Sequence, residues 1–510
     1  MTASLHLPRQ AVRLAFLVTV LYAGAMFWIA PHPPMADLPQ HAGQVAIWRD
    51  LLLGQSPWQQ MLRINYFTPY LIGYGLALPL SFVMPVVAAF KLMLMLAYYA
   101  FVLCCVLLRR RFDGDERLDW LFIPGFFGLS FIWGNFTFLV AAPVGLFFVL
   151  LADRYAERPA LRNGVDLCAV GCILFFSHGL IFLLACGIGV ALLLLRQMRL
   201  AKLLQALLPY IPLGALSLTY AVISGYTEAA IPGAFPPGAF WGGIGRRFWL
   251  FNHVFGGYDW YGAVFGAVAG ILMLWAPRLL KSPLQRRTLV PYVPIAAVLL
   301  VWVAVPSYAM QSSLLYERFA LFVLPFYALM FRRPSSPMGR ELATGTEARV
   351  GQALPALLCW IFLTMQTVRL VHFAQESREF DTVRAAAEPG HRALALVFDQ
   401  ASAAAQNPYA YLHYPAWYQA ENKGFVDFNF AWFRPQIVRF RSDRLPAVRP
   451  DFSIGPENFN WTQHEGWRYR YFFVRNTEPL PADLFKNDQC QVDLVRSAGS
   501  WSLFEASRCH

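Results

Sequence analysis

The chain has 510 residues, of which 57% are hydrophobic and 16% aromatic, while only 14% are charged. Soluble domains carry about 25% charged residues, so the composition excludes a soluble globular chain and is that of a membrane protein. The net charge of +12 lies in short clusters at the ends of apolar runs, a topological pattern that argues against a nucleic-acid partner.

The first apolar run, residues 11–30, has Arg9 just before it and Arg13 at its start. Its length and the missing small-x-small cleavage pattern predict an uncleaved membrane helix rather than a signal peptide. Further basic clusters at 109–111, 154–162, 196–202, 278–287 and 332–340 are assigned to the cytoplasm, so each intervening segment crosses an even number of times. Runs 118–134 and 136–151 form one out-and-back pair, and 165–177 and 179–195 a second. Runs 203–223 and 261–276 are joined by a long outer loop, 290–305 and 318–331 follow, and 353–370 leaves the rest of the chain outside. Residues 65–84, interrupted by Pro69 and Pro79, are read as an outer-leaflet or re-entrant segment before one crossing at 91–108.

The predicted fold is mainly α. A polytopic domain over 1–370, with about eleven crossings, precedes a small soluble α/β domain over 371–510 on the periplasmic side of a bacterial inner membrane. In that second domain "RALALVF", "YRYFFVR", "QVDLVR" and "WSLFEA" read as strands. Cys490 and Cys509 bracket the last hairpin and suit a disulfide, with two free thiols as the alternative. The other six cysteines lie in or beside apolar runs as small hydrophobes, and none has metal-ligand spacing with histidine.

The outer loops carry the chemistry. "PPMADLPQHAGQVAIWRD" predicts an interfacial helix over 38–53, on which Asp37, His41, Gln44 and Trp48 share one stripe. Asp37 also opens a D-x-x-Q capping box with Pro39 in the first turn, so it can cap the helix, serve as a catalytic acid, or do both. His178 occupies an outer turn, as a buried structural histidine or a functional one. The loop between 224 and 260 interleaves aromatics with Glu228, Arg246, Arg247, His253 and Asp259. Outer basic residues beside aromatics point to an anionic headgroup or diphosphate. Arg318, in "SSLLYERFALFVLP", either pairs locally or clamps a phosphate. No Walker loop, dinucleotide fingerprint, zinc motif or nucleophile elbow is present.

This order of parts resembles the GT-C superfamily of membrane glycosyltransferases, which use polyprenyl-phosphate-linked sugars. The resemblance rests on the acidic first outer loop "PPMADLPQHAGQVAIW", helix pairs turning at "FSHGL" and "WGNF", the late "LYERFALFVLP", and the outer C-terminal domain. It implies that Asp37 is the catalytic base, or helps bind acceptor or metal. It implies a polyprenyl-phosphate sugar donor and a glycan, lipid or protein acceptor. Where several such families have an acidic pair in the second outer loop, this chain has only "WGN", so no cofactor is assigned and a divalent cation stays open. The residues themselves suit an inverting transfer: Asp37, coupled to His41, as base; Arg318 or the Arg246/Arg247 pair on phosphate; and His178, Gln44 and Glu228 as further substrate contacts. The competing readings are a non-catalytic scaffold of polysaccharide assembly, in which Asp37 is only a cap, and an arginine/histidine-dependent polymerase or ligase.

Overall fold

Apolar segments can satisfy their backbone within a bilayer as helices, and helices dominate the chain as far as residue 384. The computed structural model describes residues 9–197, 200–227, 238–334, 346–450, 452 and 455–509. Its helices are α1 (Arg9–Ala25), α2 (Leu38–Leu52), α3 (Leu71–Val83), α4 (Val86–Arg111), α5 (Leu129–Ile132), α6 (Phe136–Glu157), α7 (Leu161–Ser177), α8 (Gly179–Arg196), α9 (Leu200–Ala206), α10 (Tyr210–Thr227), α11 (Leu250–Phe255), α12 (Trp260–Leu279), α13 (Val293–Ala304) and α14 (Val323–Ala328). They are followed by α15 (Thr346–Glu376), α16 (Arg378–Arg384) and α17 (Ala416–Glu421).

Among the described residues six helices are long and apolar enough to cross a membrane, and seven if the bent pair α9 and α10 forms one span. Two of the predicted crossings take another form. Residues 118–134 are not a helix but two 3₁₀ segments, Glu116–Phe122 and Pro124–Phe127, followed by the single turn of α5. Pro124 removes a donor, and Gly128 lets the backbone come so close to Val254 that an added Cβ would stand 2.5 Å from its carbonyl oxygen. The stretch is almost wholly buried, and non-helical backbone at membrane depth is tolerated where protein surrounds it. Residues 318–331 are likewise split between a 3₁₀ segment, Glu317–Phe322, and the short α14.

The basic clusters do gather at one end of the bundle. Arg13 and Arg333 both pair with Glu116, at 2.9 and 2.8 Å, and Arg111 and Arg196 both reach Asp153, at 2.6 Å. Arg109 holds Asp119 at 2.8 Å.

Helix α15 continues past residue 370 to Glu376, and α16 begins at Arg378. Nine strands are present among the described residues: β1 (Leu62–Ile64), β2 (Tyr308–Ala309), β3 (Ser312–Ser313), β4 (Arg392–Val397), β5 (Phe425–Asp427), β6 (Val438–Phe440), β7 (Tyr471–Arg475), β8 (Gln491–Ala498) and β9 (Trp501–Ser507). The four strands expected in the C-terminal part are β4, β7, β8 and β9. With β5, too short to stand out in sequence, they form one sheet of order β5-β4-β7-β9-β8. β4 is parallel to β5 and β7, and the remaining neighbours are antiparallel. A Cys490–Cys509 disulfide links the two ends of the β8–β9 hairpin.

Helix α2 departs most from expectation. It is buried by protein on nearly every side, Trp48 included. α17 and the 428–438 segment cover the face that would otherwise meet water. Gln40 donates to the Phe428 carbonyl at 2.8 Å and accepts from the Phe430 amide at 3.0 Å, and Gln44 accepts from the Val438 amide at 2.8 Å. β1, after α2, pairs antiparallel with β6. The chain before α2 is tied to the turn after α5: the amides of Ala36 and Asp37 donate to Ile132 and Trp133 at 3.0 and 2.9 Å.

Gly134 closes that turn at φ +73°, and an added Cβ would stand 2.7 Å from the Leu38 nitrogen and 2.9 Å from that of Asp37. Gly134→Ala therefore combines a strained backbone with a clash against backbone atoms. It is expected to lower the melting temperature of the detergent-solubilised protein, at a cost of about 1–3 kcal/mol. Gly187→Ala, at a site open for 4 Å around the new methyl, is expected to leave it within error.

Candidate active site

Asp37 stands at the N-cap of α2 with φ −92° and ψ −9°, and its side chain makes no capping hydrogen bond. The D-x-x-Q box is not formed, because Gln40 is held by residues 428–430. The Asp37 carboxyl instead faces a cavity of about 460 Å³, and Arg318, His41, His413, Tyr70 and Gln436 line the same space. The first loop, the β2–β3 hairpin and the C-terminal part of the chain all contribute to this wall.

The electrostatics follow from enclosure. Burial pushes Asp37 from the usual carboxylate range up to about 7, with Arg318 opposing the shift. His41 is pushed down to about 3, by burial first and then by Arg318 and His413, so its imidazole is neutral at physiological pH. Its Nδ1 shares a 2.5 Å hydrogen bond with the Tyr74 hydroxyl. His413, held between the rings of Phe428 and Phe430, is also pushed down to about 3 by burial. Its Nε2 lies 3.6 Å from Asp37 Oδ1, close, but too long for a hydrogen bond.

Arg318 donates from Nη2 to the Ser313 carbonyl at 2.8 Å, and its Nε is buried without a partner. It has no carboxylate within ion-pair distance among the described residues. A guanidinium with uncommitted donors beside a cavity is suited to an anion.

The other predicted site residues lie elsewhere. Gln44 is fully buried and spends its oxygen on Val438. His178 sits behind the cavity, stacked on Tyr70 at 5.2 Å between ring centres, where Nδ1 accepts from the Leu180 amide at 3.3 Å and caps α8. Arg247 closes the end of α13, donating to the carbonyls of Trp302 and Val305 with its guanidinium 3.5 Å above the Tyr316 ring. Arg246 is exposed, and neither arginine lines the cavity. Glu228 lies outside the described residues. Asp259 caps α12 through the Gly262 amide and pairs with Arg369. Among the described residues no group of three or more His, Cys, Asp or Glu side chains is placed to hold a metal ion.

Sequence reading missed His413, Tyr70 and the β2–β3 hairpin. His413 was visible only as one polar residue in the aromatic stretch "NPYAYLHYPAWYQ", and nothing local places that stretch against residue 37.

No protein-family model matches the chain, and no curated protein matches it in sequence. Its three-dimensional fold has a solved counterpart. The chain has the fold of ArnT. The crystal structure of ArnT from Cupriavidus metallidurans bound to undecaprenyl phosphate superposes over 98% of both chains with a TM-score of 0.58 and 12% sequence identity. The order of parts expected from the sequence, a helical domain of apolar spans followed by a C-terminal sheet, is therefore the order observed.

The pKa of Asp37 has a consequence independent of activity. A carboxyl near 7 when folded and near 3.8 when unfolded contributes stability that is present below about pH 4 and is lost progressively up to pH 7. Asp37→Asn should therefore melt higher than the parent protein at pH 8, with the gap narrowing on acidification and closing near pH 4. Parallel melting curves across that range would contradict the burial of a titrating acid.

Proposed function

We propose that this chain is an integral-membrane glycosyltransferase that moves a sugar from a polyprenyl-phosphate donor to a glycan, lipid or protein acceptor at the periplasmic face. The observation that carries this reading is a cavity in which a carboxyl poised near neutrality and an arginine with no carboxylate partner among the described residues face the same space. The undecaprenyl phosphate bound to ArnT, a protein of the same fold, supports the donor class.

The chemistry needs little more. Asp37 accepts the proton of the acceptor hydroxyl as its oxygen bonds to the anomeric carbon. The bond from that carbon to the donor phosphate breaks, its electron pair leaves on the phosphate oxygen, and Arg318 stabilises the charge that develops there. Attack opposite the leaving group inverts the anomeric centre. A base with a pKa near 7 suits proton transfer at neutral pH. No step requires a metal, although a divalent cation is compatible with the reading. A scaffold has no use for an enclosed acid beside a guanidinium that no carboxylate neutralises.

The presence of His41, His413 and Arg318 in the same wall also fits an arginine/histidine-dependent polymerase or ligase, and the variants separate the two. In proteoliposomes Asp37→Asn is expected to lower transfer by about 10²–10⁴-fold while retaining undecaprenyl phosphate binding, and Arg318→Gln to lose that binding. Full transfer by Asp37→Asn together with loss in Arg318→Gln would assign the polymerase or ligase reading.

A further inference from the structure

Asp37 carries the proposed chemistry, yet nothing around it fixes its carboxyl. The side chain makes no cap bond, and Arg318 donates to the Ser313 carbonyl instead. His413 Nε2 stands 3.6 Å from Oδ1. His413 belongs to the C-terminal part of the chain, and its position is well determined. Phe428 and Phe430 hold the ring, and residues 428–430 are themselves anchored to Gln40, one turn along α2 from Asp37. Asn407, six residues before His413, donates to the carbonyls of Pro34, in the loop that leads to Asp37, and of Ile132, at the end of α5, at 2.9 and 3.3 Å. The segment bearing His413 is thus clamped to the same backbone that carries the acid.

We propose that His413 is a positioning residue: its Nε2–H closes on Asp37 Oδ1 when that carboxyl is ionised, leaving Oδ2 to receive the acceptor proton. The inference rests on the transferase reading for its purpose, but not for its test. In this role the soluble part of the chain completes the site. His413 stays neutral, as its burial favours, and acts as a hydrogen-bond donor, not as a second base. The groups that face Asp37 are then His413 from the C-terminal segment, His41 from α2, Arg318 from the β2–β3 side, and the hydroxyls of Tyr70 and Tyr74. Arg318 and, in this role, His413 favour the carboxylate, while enclosure opposes it.

The test reads the titration of Asp37 without turnover. Undecaprenyl phosphate alone is bound to the full-length detergent-solubilised protein, and its affinity is followed from pH 5 to 9 by quenching of tryptophan fluorescence. An ionised Asp37 repels the phosphate, so affinity falls as pH rises through the carboxyl's pKa. Asp37→Asn lacks that fall and reports the phosphate's own titration. Removing the donor destabilises the carboxylate, so in His413→Leu the fall is expected at a pH higher by about one unit. His413→Gln, which keeps an amide donor, is expected to restore part of that shift, and His413→Asn, too short to reach, is expected to behave like the leucine variant. Asn and Gln suffice for the comparison if the leucine variant does not fold. A fall at the wild-type pH in the variants without a donor in reach, or equal shifts in Gln and Asn, would overturn the proposal, since a merely structural histidine changes affinity at all pH values alike. Failure of the transferase reading shows itself separately, as absence of sugar transfer by a wild-type protein whose titration still depends on residue 413.

Discussion

The structure depends on the burial of helix α2. A fifteen-residue helix that carries Gln40, His41, Gln44 and Asp50 among its apolar positions belongs at a wet surface, yet it is enclosed between the membrane helices and the C-terminal part of the chain. Buried amides are costly unless they are paired, and here Gln40 and Gln44 meet backbone groups of residues 428, 430 and 438. Those bonds fix the register of the two parts of the chain against each other. Asp37, one residue before the helix, is carried by the same fit into an enclosed space.

Enclosure explains the character of the site. The acid is raised because water is largely kept from it, and the histidines around it are lowered for the same reason. The backbone of residues 36 and 37 is gripped by the turn ending at Gly134, whereas the carboxyl itself is held by no hydrogen bond among the described residues. A rigid backbone with a side chain left unpaired is what a group needs if its partner is to arrive with the substrate. It is also unfavourable for the empty protein, a familiar exchange of stability for function.

Much of this was legible in the sequence, and the part that was not has a physical cause. Continuous apolar helices such as α4, α6, α8 and α12 declare themselves by composition, and the alternation of basic clusters placed their ends on one side, where Arg111, Arg196 and Asp153 meet. The alternation failed at 118–134 because hydropathy measures burial and does not distinguish lipid from protein: Pro124 and Gly128 lie within the fold, not in a lipid-facing helix. Asp37 and Arg318 could be named because ionisable residues beside apolar runs are rare. Arg247 shared that rarity but serves the carbonyls at the end of α13. His413 could not be named, since its meaning lies in a contact across some 376 positions of sequence. The capping motif at Asp37 and Gln40 was locally plausible and was overruled by tertiary hydrogen bonds.

The central claim is that a lipid phosphate sits between Arg318 and Asp37, beneath the cover that residues 407–438 provide. Electron cryo-microscopy of the protein in nanodiscs with undecaprenyl phosphate tests it directly. The account predicts phosphate density within hydrogen-bond distance of the Arg318 guanidinium, on the side of the cavity that Asp37 faces, with the isoprenoid chain leading out to the membrane. Lipid phosphate bound elsewhere, with the Asp37 cavity empty, would contradict it.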